Sequence, residues 1–258
     1  MNHLLITQHT MTDASLTTSL RHLAAKYETK DFLQNDPSWF MHQVLGRENQ
    51  EVMAFIASVL SYGKRELFFP KLHFMLKASR FQPYRWVKEA LFRRDIGDNE
   101  QCFYRLYNNH MMLQFLDTLQ KIIIAYGSLG AFAKSLAVNH TALEVLNGLS
   151  DYFLAQGIKG MVPSPRTSVA KRPCMFLRWM VRDGSPVDLG LWADFIDKRT
   201  LFIPLDTHVM QEATRLGLIK NKAASWHTVV QLTDSLRNIF PDDPAKGDFA
   251  LFGVGIDK

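Results

Sequence analysis

Apolar residues recur at the three- and four-residue spacing of an α-helix along most of the chain. This pattern predicts an all-α fold. Four stripes are the clearest, and each would place its apolar side chains on one helix face. Their members are Val52, Phe55, Ile56, Val59 and Leu60; Met112, Phe115, Leu116, Leu119, Ile122, Ile123 and Tyr126; Ala142, Val145, Leu146, Leu149, Tyr152 and Phe153; and Val229, Leu232, Leu236 and Ile239. The sequence contains no strand-like alternation of apolar and polar residues.

The composition of the 258 residues is that of a globular protein with a basic surface. Hydrophobic residues make up 47% and charged residues 21%, and no apolar run approaches the roughly 20 residues that span a bilayer. The first residues lack a secretory leader, so we expect a cytoplasmic protein without membrane contact. The net charge of +5 favours polyanionic partners. The two cysteines exclude a four-thiolate iron–sulfur site, and we expect no metal and no cofactor.

Two segments carry residues with chemical potential. In residues 201–218, LFIPLDTHVMQEATRLGL, an apolar approach ends at Asp206 and an amphipathic helix follows at once. Lys171 lies 35 positions upstream and opens a second amphipathic helix, KRPCMFLRWMVR. Each residue also has an ordinary interpretation. Asp206 is a favoured helix N-cap, Lys171 beside Arg172 is a solvated charge, and His208 is a polar residue on a helix surface.

A lysine and a carboxylate that share a cleft can break the bond between a base and deoxyribose. Positive charge develops on the sugar as this bond breaks, and a carboxylate stabilises that charge or activates the nucleophile. A lysine amine that attacks C1′ gives a Schiff base, from which β-elimination cuts the strand. Because an ammonium is not nucleophilic, the lysine must be desolvated or deprotonated by a neighbour.

Both segments resemble the catalytic segments of helix-hairpin-helix DNA glycosylases. Residues 206–218 are similar to the run after the catalytic aspartate in endonuclease III-like and 8-oxoguanine-type enzymes. Residues 171–180, K-x(3)-MFL-x(2)-M, resemble the lysine helix of the oxidised-purine branch, which includes the archaeal 8-oxoguanine glycosylases. Residues 54–66 resemble the early core helix whose end inserts into the gap left by a flipped base, and residues 248–255 resemble the helix that backs the base pocket.

The resemblance implies a two-lobed helical fold and a role for each member of the pair. Residues 51–148 would form a central lobe. Residues 1–50 would join residues 149–258 in a second lobe, because this superfamily folds its termini together. Asp206 would stabilise the sugar cation, with His208 in support, and Lys171 would attack C1′. The alternatives are attack by Lys159, or by water, which would leave an abasic site uncut.

The hairpin before the lysine departs from the superfamily pattern. Resembling enzymes have L-P-G-V/I-G there and hold a DNA phosphate with its backbone amides, whereas residues 160–170 read GMVPSPRTSVA. We expect this divergent hairpin to rebuild the phosphate grip with a guanidinium, hydroxyls and amides. The residues expected to contact DNA are Arg166, Thr167, Ser168 and Arg172 around the hairpin, and Lys64 and Arg65 on the opposing lobe. Tyr62 is the expected wedge, with a core tyrosine as the alternative.

Three functions remain in competition at this point. The first is a DNA glycosylase with abasic-site lyase activity that removes a damaged base from duplex DNA, an oxidised purine being one candidate. This enzyme would be cytoplasmic and associated with the nucleoid. The second is a non-catalytic nucleic-acid-binding protein that kept the glycosylase fold, and the third is a helical interaction module.

Overall fold

The computed structural model describes residues 13–220 and 223–256, and within them the chain is mostly helical. The α-helices are α1 Asp13–Tyr27, α2 Arg47–Leu60, α3 Arg65–Ala78, α4 Pro83–Lys88, α5 Phe92–Asp95, α6 Asn109–Tyr126, α7 Leu129–Leu136, α8 Ala142–Ala155, α9 Lys171–Val181, α10 Thr207–Arg215, α11 Trp226–Ile239 and α12 Gly247–Ile256. Short 3-10 helices cover Lys30–Asn35, Pro37–Gln43, Lys198–Thr200 and Pro244–Lys246. The predicted all-α class is therefore confirmed. The one departure is an antiparallel hairpin of β1 Cys102–Tyr104 and β2 Tyr107–Asn108.

The four apolar stripes coincide with α2, α6, α8 and α11, and the last three of these helices begin with a capping side chain. Asn108 accepts a hydrogen bond from the Met111 amide at 2.8 Å and so begins α6. At the start of α8, Thr141 and Glu144 form a capping box. Such caps satisfy amides that have no partner inside the helix. The helix starts are thus determined locally, while the apolar faces determine how the helices pack.

Buried apolar side chains form two core clusters. The first extends from Phe40 to Leu201 and includes Ala245, and α9 lies within it. The second joins Leu20 and Ala24 of α1 to residues between 203 and 254. The chain termini thus meet in one core, where α1 packs along α12. The predicted second lobe also includes residues 1–12, 221–222 and 257–258, which lie outside the described residues.

Buried ion pairs hold the C-terminal half of α9 in place. Arg178 and Arg182 are almost fully buried and both bond to the buried carboxylate of Asp188. Arg182 also donates to Glu28 at 2.6 Å and to Asp243 at 2.8 Å. Removing one partner from such a network leaves an uncompensated buried charge, which is strongly destabilising. Buried charges therefore tie the C-terminal half of the helix that begins at Lys171 to the rest of the fold. No helix of the described residues is long and apolar enough to cross a membrane.

Candidate active site

Lys171 and Asp206 form a direct ion pair at the junction of α9 and α10. The Lys171 Nζ atom lies 2.9 Å from Asp206 Oδ2. Both side chains remain partly open to solvent, with 35% and 33% of their surface exposed. The sequence predicted that both residues start helices and line a common cavity, and the geometry confirms that placement. Their catalytic roles stay predictions.

Local backbone structure aims both side chains at the same point. Lys171 is the first residue of α9, and Ala170 before it adopts a left-handed conformation with a φ of 45°, which turns the chain sharply into the helix. Asp206 is the N-cap of α10, and its Oδ1 atom accepts a hydrogen bond from the Val209 amide at 2.9 Å. One carboxylate oxygen therefore caps the helix while the other faces the lysine. The capping and chemical interpretations of Asp206 hold together.

The pair opens into a cavity of about 770 Å³. Lys171, Met175 and Arg178 line it from one face of α9, as their spacing of four and three residues requires. Phe32 and Phe252 form one aromatic wall, because their rings pack edge to face with centroids 4.8 Å apart. This volume falls within the range of about 300–1,000 Å³ that is usual for small-molecule sites. This space offers a planar ring both an apolar wall and polar partners.

The surroundings of Asp206 and Asp248 shift the pKa values of these two carboxyl groups in opposite directions. Burial raises the pKa of Asp206, but the Lys171 ammonium and the Val209 amide outweigh it and lower the pKa below its usual range. Asp248, at the start of α12, bonds to Arg178 and has 17% of its side chain exposed. Its burial, with the neighbouring Asp206 charge, outweighs Arg178 and raises the pKa of Asp248 to about 6. A carboxylate with a lowered pKa thus lies beside one with a pKa of about 6.

Several predicted contact residues are exposed, and two of the exposed predicted site residues line the cavity. Arg65 and His208 are exposed and line the cavity, and Lys64 is exposed next to Arg65. In the divergent hairpin, Arg166 is exposed but paired with Asp151, and Thr167 is exposed. The Ser168 hydroxyl, in contrast, is engaged locally.

The hairpin serine stabilises the turn that leads to the lysine. Its hydroxyl donates to the Ser164 carbonyl at 3.0 Å and accepts from the Ala170 amide at 3.1 Å. Ser168 therefore shapes the entry to α9, and its hydroxyl is already used in the free protein.

The structure corrects the roles expected for Arg172 and Tyr62. The Arg172 guanidinium donates to the Val59 carbonyl at 2.7 Å, to the Tyr107 hydroxyl at 2.8 Å and to the Gly160 carbonyl at 2.6 Å. It also lies over the Tyr62 ring, 5.1 Å from the centroid. The Arg172 guanidinium thus already donates hydrogen bonds to three separate segments. A phosphate contact by Arg172 is therefore not supported.

The half-buried Tyr62 is part of an aromatic cluster, as in the alternative interpretation. Its ring contacts those of Tyr104 and Tyr107, with centroids 4.9 and 5.3 Å away. Its hydroxyl donates to the Tyr104 carbonyl at 3.3 Å and accepts from the Leu106 amide at 3.4 Å. A ring bonded at both its face and its tip is not free to enter a base stack. The expected wedge role for Tyr62 is therefore not supported.

Two residues of this site were missed by the sequence analysis. Leu106 occupies the tip of the β1–β2 hairpin, directly above Tyr62, and is 80% exposed. The preceding residue, Arg105, has a φ of 52°, so the turn is tight and its tip projects. Asp248 was included only in a resembling segment, without a role. The exposed leucine has no periodic signal, and the shifted pKa of Asp248 depends on partners distant in sequence.

Comparison with known proteins places the chain in a family. The family described as "Protein of unknown function (DUF2400)" matches residues 36–257, which is most of the chain, and the chain belongs to it. No curated protein matches the chain significantly. No solved structure does so either. The matched region contains Lys171, Asp206 and Asp248, together with the rest of the cavity apart from Phe32.

Proposed function

We propose that this protein is a DNA glycosylase with abasic-site lyase activity, built on a helix-hairpin-helix glycosylase fold. The observation that carries the proposal is the 2.9 Å contact between Lys171 Nζ and Asp206 Oδ2 at the mouth of a nucleoside-sized cavity. The net charge of +5 supports a polyanionic substrate. A helical interaction module would need neither the ion pair nor the cavity.

The chemistry follows from the arrangement of this pair. A damaged nucleotide flips into the cavity, and its ring packs against the aromatic wall of Phe32 and Phe252. As the bond from C1′ to the base breaks, its electron pair leaves with the base, and the Asp206 carboxylate stabilises the positive charge on the sugar. Lys171 loses one proton, which ends on the departing base, and its nitrogen bonds to C1′.

Strand cleavage follows on the same amine. Opening of the sugar ring gives a Schiff base between Lys171 and C1′, and loss of a C2′ proton expels the 3′ phosphate. In the free protein Lys171 is paired with Asp206, whose lowered pKa makes it a weak proton acceptor. The nucleophilic amine therefore forms only when the substrate separates the pair or accepts the proton.

The DNA lies across exposed residues at the cavity and in the divergent hairpin. Lys64 and Arg65 contact phosphates on one side, and Arg166 and Thr167 do so on the other. Leu106 replaces Tyr62 as the wedge, because an exposed apolar tip on a rigid turn fits the gap that a flipped base leaves. Among the described residues, no apolar surface covers the Leu106 side chain, which is 80% exposed.

Borohydride trapping on a panel of lesion-bearing duplexes tests the proposal. Wild type is expected to form a covalent adduct with at least one lesion, and Lys171→Gln is not. Lys159→Gln is the matched control, because Lys159 is exposed in the loop before the hairpin and is the competing amine. Base release without trapping by any variant would indicate water as the nucleophile. Duplex binding with neither release nor trapping on any lesion would refute the enzymatic proposal in favour of a non-catalytic nucleic-acid-binding protein.

A further inference from the structure

The net positive charge of the chain is concentrated far from the Lys171–Asp206 pair. Residues 77–94 contain six basic residues and one acidic residue, a net charge of +5, which equals the net charge of all 258 residues. The rest of the sequence is therefore neutral overall. We name residues 77–94, from the end of α3 into α5, the α3–α5 basic surface. Asp95 ends α5 and lies just outside this range. The charged members of the surface are Lys77, Arg80, Arg85, Lys88, Glu89, Arg93 and Arg94.

Three of its arginines surround a second, polar cleft. Arg80, Arg85 and Arg94 line a cavity of about 480 Å³. The acidic groups in it are already bound: Glu89 accepts from Arg85 at 3.0 Å, and Asp95 accepts from the Trp86 indole at 2.7 Å. The guanidinium groups of Arg80 and Arg94 make no hydrogen bond or ion pair with any residue that the structure describes. Two arginines without a bonded partner thus line one cleft.

The backbone at this cleft is held in an unfavourable conformation. Arg80 and Phe81 are consecutive residues with positive φ angles of 51° and 60°. They close the end of α3, where the Phe81 amide donates to the Leu76 carbonyl at 3.1 Å. Glycine would adopt this conformation without strain but would carry no guanidinium. Strain of this kind occurs preferentially where a side chain must be presented at a fixed place.

We propose that the α3–α5 basic surface binds backbone phosphates of duplex DNA beyond the lesion. The choice of duplex DNA rests on the proposed function. α3 connects the two sites, since Arg65 lines the large cavity and Ala78 lines the basic cleft. These residues are 13 positions apart in one helix, or about 20 Å at 1.5 Å per residue. At 3.4 Å per base pair, the cleft reaches phosphates about six base pairs from the flipped nucleotide.

The salt dependence of binding tests this surface. The probe is a duplex with a tetrahydrofuran abasic analogue, which fixes the register of the protein. One version has arms of about 12 base pairs on each side and the other has arms of about four, too short to reach the cleft. The double variant Arg80→Gln, Arg94→Gln is compared with wild type. The control is Lys220→Gln, Arg237→Gln, which removes the same formal charge elsewhere. Lys220 is exposed, and Arg237 is partly exposed and paired with Asp234.

Each lost phosphate contact lowers the slope of log K against log salt by about 0.9. We expect the double variant to lose about 1.8 from this slope on the long-armed duplex and nothing on the short-armed one. The control variant should behave as wild type on both. A wild-type slope for the double variant on long arms would refute the proposal, as would an equal loss on both duplexes. Either result would mean that the α3–α5 basic surface does not bind DNA beyond the lesion and would point to another class of polyanion as its ligand.

The outcome is independent of catalysis. If no lesion is trapped or excised but the slope changes as expected, the glycosylase proposal fails and the basic surface stands as a DNA contact. If excision is intact and the slope is unchanged, the basic surface alone is refuted.

Discussion

Replacing Asp206 by asparagine removes one negative charge from the cavity while preserving the helix start. The Oδ1 atom of Asp206 accepts from the Val209 amide at 2.9 Å, and the asparagine carbonyl can accept the same bond. Aspartate and asparagine are equally favoured as N-caps. The Oδ2 atom faces Lys171 Nζ at 2.9 Å, and there the asparagine amide offers no charge. The substitution therefore separates electrostatics from folding.

We expect Asp206→Asn to slow base excision by about 10²–10³, or about 2.7–4 kcal/mol, as for loss of one electrostatic contributor in other enzymes. The lowered pKa of Asp206 means that the wild-type carboxylate is charged at neutral pH. Its contribution is therefore present above the usual carboxyl range and is lost only as the pH falls below it. Single-turnover excision of a lesion duplex measures the rate, and a filter-binding titration should give an affinity near that of wild type.

Two further variants separate the cap from the charge. Asp206→Ala removes both, and its free energy of unfolding should be about 1 kcal/mol lower than that of Asp206→Asn. Denaturant unfolding measures this difference. Ser225→Ala removes a comparable cap from α11, where Ser225 accepts from the Thr228 amide at 3.3 Å, without touching the cavity. It should lose stability but keep the excision rate. An Asp206→Asn protein that excises at the wild-type rate would remove Asp206 from the mechanism.

The helices were predictable because each long stripe repeats its period several times. The β1–β2 hairpin was not, since its strands contain three and two residues and cannot show an alternating pattern. Its turn also lacks the usual signal. Two-residue hairpin turns favour Asn-Gly, whereas here Arg105 takes the positive φ of 52°. Tertiary contacts from Tyr62 stabilise this turn in place of a local preference.

The same division applies to the site. Lys171 and Asp206 each begin a helix, so local sequence marks their positions, and the resemblance brought them together. The guanidinium of Arg172 is engaged by Val59 and Tyr107, which lie 113 and 65 positions away in the chain. An arginine beside a candidate nucleophile has the sequence signature of a phosphate contact, whether its donors are free or engaged. Only the packed structure distinguishes the two.

Three further substitutions test the remaining assignments. Burial raises the pKa of Asp248 to about 6, so the folded protein keeps a proton that the unfolded chain releases near its usual value of 3.8. The free energy of unfolding of wild type should therefore fall, relative to Asp248→Asn, by up to about 3 kcal/mol as the pH rises from 4 to 6. Urea unfolding at each pH measures this difference, and a constant difference would contradict the raised pKa. Arg172→Met removes three hydrogen bonds and should lower the free energy of unfolding by about 2–4 kcal/mol in the same assay; an unchanged value would restore Arg172 as a free DNA contact. Leu106→Ala should leave stability within about 0.5 kcal/mol of wild type, because the side chain is 80% exposed. Excision from a lesion duplex should nevertheless slow, while excision from a single-stranded lesion oligonucleotide should not, because a wedge is needed only where a base must leave a stack. Val138→Ala is the control, since Val138 is 77% exposed between α7 and α8 and does not line the cavity. If Leu106→Ala slows both substrates equally, or neither, the hairpin tip is not the wedge.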